Sequence, residues 1–190
     1  VFFASGAKLK HLIFILLGGA FSIYFLMLQS QYRAARLTTF LHPELDPQGI
    51  GYHINQAFLA IGSGGFWGRG FGLSRQKFQY LPETIGDSIF AIIAEELGFF
   101  VCSFVLGLYL LIFYRGIQIA KNAPDQFGRL VAIGIVSWLT FQAFFNIASM
   151  VGLLPMTGIP LPFISYGGTA FAVGMGAVGL LTNISRQTKQ

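Results

Sequence analysis

The sequence predicts an all-α, polytopic helical membrane protein with about four transmembrane helices and one large extracytoplasmic loop. Three observations predict it. First, 54% of the 190 residues are hydrophobic and only 10% are charged, with a mean hydropathy of +0.66, whereas a soluble domain carries about 25% charged residues. Second, four apolar runs, at about 11–28, 88–114, 130–153 and 163–182, have the length that a hydrocarbon core about 30 Å thick requires. Third, the polar and helix-breaking residues gather between those runs, above all in a segment at about 30–87.

The first run, HLIFILLGGAFSIYFLML, follows Lys8 and Lys10. The 30–87 segment is punctuated by Pro43, Asp46, Pro47, Gly49 and Gly51. Within it Ile54 to Ile61 reads as a short helix lying on the membrane surface. The run IGSGGFWGRGFG (61–72) is too glycine-dense for a packed helix. The second span is followed by a short polar loop with Asn122, Pro124 and Asp125; the third holds Trp138, Gln142 and Asn146. LLPMTGIPLP (153–162) brings three prolines and no charge before the last span. The single cysteine, Cys102, lies in an apolar run and reads as a small buried hydrophobe. The chain starts at Val1 without the layered pattern of a signal peptide, and reads as a piece of something longer.

Charge sets an orientation. Lys8, Lys10, Arg115, Lys121, Arg129, Arg186 and Lys189 fall on one side of a four-span arrangement, and the 154–162 turn has no basic residue. The positive-inside rule places both chain ends in the cytoplasm and the 30–87 segment outside. The net charge of +5 therefore reflects membrane topology, and no nucleic-acid partner follows from it. Five basic residues, Arg33, Arg36, Arg69, Arg75 and Lys77, remain on the outer side, where they suit an anionic ligand.

The stretch KFQYLPETIGDSIFAIIAEELG (77–98) concentrates the acids. Asp87, Glu95 and Glu96 sit at or inside a membrane helix, where ionisable groups are costly and usually functional. Helical geometry puts Glu95 within roughly 80° of Asp87 and about 12 Å deeper, so the two can line one cavity while Glu96 faces elsewhere. The structural alternative for Asp87 is a helix N-cap, or the far end of a capping box with Thr84. The glycine-rich run lacks the Gly-Lys-Ser/Thr ending of a nucleotide loop. It is either a turn or a place where backbone approaches a ligand, with Arg69, Arg75 and Lys77 meeting phosphate. His11, His42 and His53 show no metal-ligand spacing.

A second concentration lies at 146–170, NIASMVGLLPMTGIPLPFISYGGTA. Broken backbone at membrane depth is tolerated only where protein or water covers it. Gly167 and Gly168 also suit close helix packing.

Together the two stretches resemble the SEDS family (shape, elongation, division, sporulation), typified by FtsW and RodA. The resemblance runs through FLHPELDPQG (40–49), is strong to Phe99, and returns at Asn146, Gly152, Pro155, Gly158 and Ser165-Tyr166-Gly167-Gly168. Its members typically have ten spans, so residues 1–190 are expected to form the C-terminal part of one SEDS-type membrane domain.

The resemblance implies an inverting peptidoglycan glycosyltransferase. Such an enzyme polymerises lipid II into a growing glycan strand at the outer face of the cytoplasmic membrane, beside a class B transpeptidase (a penicillin-binding protein). A lipid pyrophosphate leaving group departs without a proton if its charge is neutralised, so one base and several cations suffice. Asp87 occupies the position of the family's essential aspartate and is the expected base, although Ile85-Gly86-Asp87-Ser88 departs from the commoner His-Thr-Asp-Phe pattern. Arg69, Arg75 and Lys77 are candidate pyrophosphate partners; Ser165 and Tyr166 are candidate substrate-binding residues. Glu83 is a candidate for substrate or a divalent cation, with pairing to Lys77 or Arg75 as its structural alternative. Glu95 and Glu96 are expected to make interhelical hydrogen bonds. Two other classes compete: a lipid II flippase, for which Glu95 and Glu96 are the essential acids, and a scaffold that only recruits a transpeptidase.

Overall fold

The computed structural model describes residues 9–29, 36, 38–42, 49–76 and 86–187. Every regular element among them is a helix: α1 (Leu9–Gln29), α2 (Ile50–Gly64), α3 (Ile89–Lys121), α4 (Gln126–Met150) and α5 (Gly168–Gln187). Helices α3, α4 and α5 are long and apolar enough to cross a membrane. Helix α1 covers the first expected span with 21 residues, about 31 Å at 1.5 Å per residue. Among the described residues it packs against none of the other helices.

Several boundaries differ from the sequence expectation. Helix α3 runs on past Arg115 to Lys121, because no breaker intervenes and Gly116 lets α3 approach α4 closely: a Cβ there would lie 2.0 Å from Val136 Cγ2. Asp125 then caps α4, its Oδ1 accepting from the Gly128 N–H at 3.2 Å. Helix α2 is longer than Ile54–Ile61 and packs on α3 instead of lying apart on a surface. Ile54, Ala57 and Ala60 are buried there, and a Cβ at Gly64 would meet the Ala94 carbonyl oxygen at 1.9 Å. The glycine-dense run is thus helical as far as Gly64.

Two clusters form the core. The larger joins Ile54, Ala57 and Ala60 of α2, Phe90, Ala91 and Ala94 of α3, Ala143 and Met150 of α4, and Met156 and Leu161 beyond it. The smaller joins Ala120, Ala132, Val136 and Leu181. Many large apolar side chains on the opposite faces are exposed, among them Phe104, Leu110 and Phe141. Lipid tails and neighbouring helices are the environments that suit such faces.

The decisive irregularity is in α3. At Gly98 the backbone leaves helical geometry (φ 76°, ψ −174°), and the loop that follows α2 fills the gap. The Arg69 and Gly70 N–H groups donate to the Glu95 and Glu96 carbonyls, both at 2.9 Å. In return Phe99 and Phe100 donate to the Gly65 and Phe66 carbonyls at 3.0 and 3.4 Å. The helix therefore exchanges two of its own rungs for four bonds with the loop, so the break leaves those groups paired. Aromatic rings bracket the exchange: Trp67 lies 5.0 Å from Phe100 and Phe66 lies 5.9 Å from Phe99 between centroids. A side chain at position 98 has no room, since a Cβ would meet Gly68 N at 2.4 Å and Phe66 O at 2.6 Å.

Gly98→Ala combines an unfavourable positive φ with a backbone clash, and is expected to destabilise the protein by about 2–4 kcal/mol. Gly107→Ala, in the same helix with open space around it, is expected to be neutral or stabilising by up to about 1 kcal/mol. Thermal unfolding of the two variants in detergent checks the contrast; equal melting temperatures would remove the exchange from its structural role.

Candidate functional site around Asp87

Asp87 lies in the turn at 86–88 that leads into α3 and is half-buried. It is not the cap of that helix. Ser88 holds the N-cap position, and no side chain makes the cap hydrogen bond. The Asp87 main chain is fixed from α4: Asn146 Nδ2 donates to the Asp87 carbonyl at 2.7 Å and to the Ile159 carbonyl at 2.8 Å. Asn146 is fully buried, and its Oδ1 has no hydrogen-bond partner among the described residues. On the carboxylate side, Gly158 comes close enough that a Cβ would lie 3.8 Å from Asp87 Oδ2. The one hydrogen bond to the carboxylate among the described residues comes from Ser88 Oγ to Oδ1, at 3.4 Å.

The broken segment between α4 and α5 forms the second wall. Its carbonyls cannot pair in a helix, and side chains from three other parts of the chain serve them. Arg36 Nη1 donates to Met156 O at 3.1 Å, Asn146 to Ile159 O, Gln142 Nε2 to Pro160 O at 2.9 Å, and Tyr109 Oη to Pro162 O at 2.5 Å. Gln142 and Asn146 stand four residues apart on α4 and so share a face. Phe163 holds φ 63°, unusual for a residue with a side chain. Its ring packs where Gly174 leaves space and meets Phe171 edge to face at 6.5 Å.

Ser165 turns inward. Its Oγ accepts from the Leu161 N–H at 2.7 Å, so it ties its own turn. Tyr166 is 80% exposed. Both line an open cleft of about 430 Å³ with Ile89, two residues beyond Asp87, and with Gly167, Gly168 and Phe171. The structure thus brings Ser165 and Tyr166 to the same end of the bundle as Asp87. A separate apolar groove of about 390 Å³ lies between α2, α3 and α4, lined by residues such as Phe90, Ala94, Leu106 and Ile147. Among the described residues no carboxylate, basic residue or histidine lines it.

Glu95 and Glu96 depart from the expected geometry. Glu95 and Glu96 both grip the loop after α2. Glu96 accepts from the Gly72 and Ser74 N–H groups at 2.9 and 3.3 Å. Glu95 accepts from Ser74 Oγ at 2.5 Å and from the Arg75 and Gln76 N–H groups at 3.1 and 3.3 Å. The loop wraps far enough around α3 to reach both side chains, with Ser74 shared between them. The expected interhelical bonds are therefore helix-to-loop bonds. The glycine-rich run also approaches α3 closely, since a Cβ at Gly68 would meet Glu96 O at 2.2 Å.

Of the described cations expected on the outer side, Arg36 serves the broken segment, and Arg69 and Arg75 sit on the loop after α2. Arg69 Nη1 lies 4.0 Å from Glu95 Oε1, and its Nε donates to Ser63 O at 3.4 Å. Arg75 is held by its main chain and is exposed. Neither forms an ion pair with Asp87. Lys77 and Glu83 lie outside the described residues. Among the described residues no three His, Cys, Asp or Glu side chains come together as a metal site.

Known proteins share this sequence and this arrangement. The model of the FtsW/RodA/SpoVE cell cycle proteins matches residues 1–190. The chain belongs to the FtsW/RodA/SpoVE family. It is 46% identical over 187 residues to stage V sporulation protein E of Bacillus subtilis, covering 98% of this chain and 51% of that protein. It is 43% identical over 190 residues to a probable peptidoglycan glycosyltransferase FtsW of Trichlorobacter lovleyi, covering 98% and 49%. A chain of a peptidoglycan synthase complex, solved for its coordination of polymerization and crosslinking, superposes with a TM-score of 0.73 at 28% identity over 95% of this chain and 50% of that one. A mutant of the Rod shape determining protein RodA of Thermus thermophilus gives 0.54 at 31%, covering 70% and 40%. This FtsW/RodA/SpoVE member is thus a membrane protein, and it spans about half the length of the curated relatives it matches.

The clamp on the loop is directly testable. Glu96→Ala leaves two main-chain N–H groups without their acceptor, at about 1–3 kcal/mol each when buried. Hydrogen exchange at residues 69–76 is expected to rise at least tenfold in Glu95→Ala and Glu96→Ala. It should rise less in the Gln variants, which keep an acceptor oxygen. Unchanged protection in the Ala variants would show that the acids do not hold the loop.

Proposed function

We propose that this chain is the C-terminal part of a peptidoglycan glycosyltransferase that polymerises lipid II at the outer face of the cytoplasmic membrane, with Asp87 as its general base. The observation that carries the reading is how the three acids are employed. Glu95 and Glu96 are buried and occupied by five hydrogen bonds from the loop. Asp87 has its main chain fixed and its carboxylate nearly uncommitted, which is the condition of a base that must accept a proton from substrate. Similarity to a probable peptidoglycan glycosyltransferase FtsW supports the same activity.

In the proposed reaction the acceptor sugar hydroxyl attacks the anomeric carbon of the donor. Its proton passes to Asp87, the bond to the pyrophosphate oxygen breaks, and the electron pair leaves with the lipid pyrophosphate. The cations nearest in sequence, Arg69, Arg75 and Lys77, neutralise that leaving group, so no general acid is needed. Ser165 and Tyr166 contact substrate in the cleft beside Ile89. Glu83 is assigned to substrate or a divalent cation. Both chain ends lie in the cytoplasm, as the basic residues favour, and a class B transpeptidase is the partner. The coordination of polymerization and crosslinking in the similar synthase complex supports that pairing.

A flippase would place its essential acids deeper, at Glu95 and Glu96. The full-length parent, purified with its transpeptidase partner, separates the readings. Asp87→Asn is expected to lower lipid II polymerisation at least about 100-fold while expression and partner binding persist. Glu95→Gln and Glu96→Gln should retain most of it. Polymer from Asp87→Asn would remove the base assignment. Lipid II movement across proteoliposomes without polymer from the wild type would replace the enzyme by a transporter.

A further inference from the structure

His53 has no part in the sugar transfer itself, yet it is aimed at the base. It lies on α2, half-buried, and its Nε2 is 2.6 Å from Ser88 Oγ. Ser88 is completely buried and its hydroxyl reaches Asp87 Oδ1 at 3.4 Å. A serine at a helix N-cap ordinarily turns its oxygen onto the N–H groups of the first turn. Ser88 makes no side-chain cap bond, and its hydroxyl meets both His53 Nε2 and Asp87 Oδ1. Three elements thus converge on one proton-accepting group: Asn146 from α4 holds the Asp87 main chain, Gly158 leaves space beside the carboxylate, and His53 approaches through Ser88.

We infer that His53, acting through the Ser88 hydroxyl, accepts the proton that Asp87 takes from the acceptor sugar, and so resets the base for the next addition. The inference rests on the reading of Asp87 as that base. The transfers balance. Asp87 gains the acceptor's proton as the glycosidic bond forms and the pyrophosphate leaves with its electron pair. The protonated carboxyl then donates to Ser88 Oγ while the Ser88 proton moves to His53 Nε2. Asp87 is left as carboxylate, Ser88 as hydroxyl and His53 as imidazolium, which returns its proton to water at its exposed edge. The second step requires the Ser88 hydroxyl to turn its single proton from Asp87 to His53 Nε2, and neutral His53 to carry its own proton on Nδ1, the tautomer in which Nε2 accepts. The Ser88–Asp87 contact is long, and such contacts tighten when substrate brings charge to the centre. His53 and Ser88 are positioning residues in this scheme, since neither touches the sugar.

A polymerase must regenerate its base at every cycle without releasing the strand. Asp87 is half-buried beside Gly158 and Ser88, and a lipid-linked substrate seated over it would limit its direct access to water. A route through protein to a half-exposed ring solves that problem.

The test uses full-length parent in complex with its transpeptidase, assayed for lipid II polymerisation at saturating and limiting substrate. His53→Gln keeps a hydrogen-bonding side chain but cannot take up a proton; Ser88→Ala removes the hydroxyl from a site where alanine fits. Each is expected to lower kcat about tenfold or more with KM for lipid II within about twofold. The double variant should be no worse than the weaker single, as members of one chain behave. Added imidazole is expected to restore part of the rate to His53→Ala and none to Ser88→Ala. Wild-type kcat in His53→Gln, multiplied losses in the double variant, or a change confined to KM would overturn the relay while leaving Asp87 in place. Polymerisation by Asp87→Asn, measured in the same series, would instead overturn the base itself.

Discussion

The structure depends on the exchange of backbone hydrogen bonds at Gly98. A membrane helix cannot break without leaving N–H and C=O groups that lipid will not satisfy. Here the loop after α2 supplies the missing partners: two carbonyls of α3 take N–H groups from Arg69 and Gly70, and two N–H groups of α3 find the Gly65 and Phe66 carbonyls. The helix is thereby stitched to the loop at its deepest point. The carboxylates of Glu95 and Glu96 extend the same seam outward to Gln76. The loop that carries Arg69 and Arg75 is consequently not a free hinge but an extension of α3, fixed at one end by backbone and along its length by two acids.

The other irregular segment obeys the same constraint with different parts. Between α4 and α5 the prolines remove helical pairing, and here side chains satisfy the carbonyls in place of another backbone. Arg36, Asn146, Gln142 and Tyr109 each donate to one carbonyl. Three of these four come from α3 and α4, so the break is held by helices packed around it. Asn146 also reaches beyond this segment. Its amide joins Ile159 in the broken segment to Asp87 at the mouth of α3, which sets the carboxylate at the junction of the two.

Much of this is legible in the sequence, for a local reason. Hydropathy reports burial in lipid residue by residue, so the order and approximate extent of α3, α4 and α5 can be read, and so can the broken character of 153–162. The boundaries are less legible, because what ends a helix is a partner elsewhere. Gly116 and Val136 allow α3 to run past Arg115, and no window around Arg115 contains Val136. In the sequence Gly98 is one more tolerated glycine, since its meaning lies in Gly68, thirty residues away. Sequence identifies Glu95 and Glu96 as hydrogen-bonding acids but misassigns their partners, because helical angles fix a direction and cannot say that a loop wraps across it. Gln142 and Asn146 carry a signal, two amides four apart in an apolar span. His53 carries none; only the packing of α2 on α3 brings it to Ser88.

The division of labour among the acids follows from depth and from what each carboxylate can reach. An ionisable group deep in a span costs least when fully hydrogen-bonded, and Glu95 and Glu96 meet that condition at the expense of reactivity: an acceptor already holding two or three donors is a poor base. Asp87 sits at the mouth of α3, where a helix N-terminus offers a favourable dipole to an anion. Among the described residues its carboxylate takes one long hydrogen bond, from Ser88, and is not saturated by donors. Its main chain is pinned so that the carboxylate need not be. Holding the backbone of a reacting residue while leaving its side chain open is how a scaffold fixes geometry without consuming the group that must do the chemistry. In this chain the deep acids build the platform that makes the shallow one available.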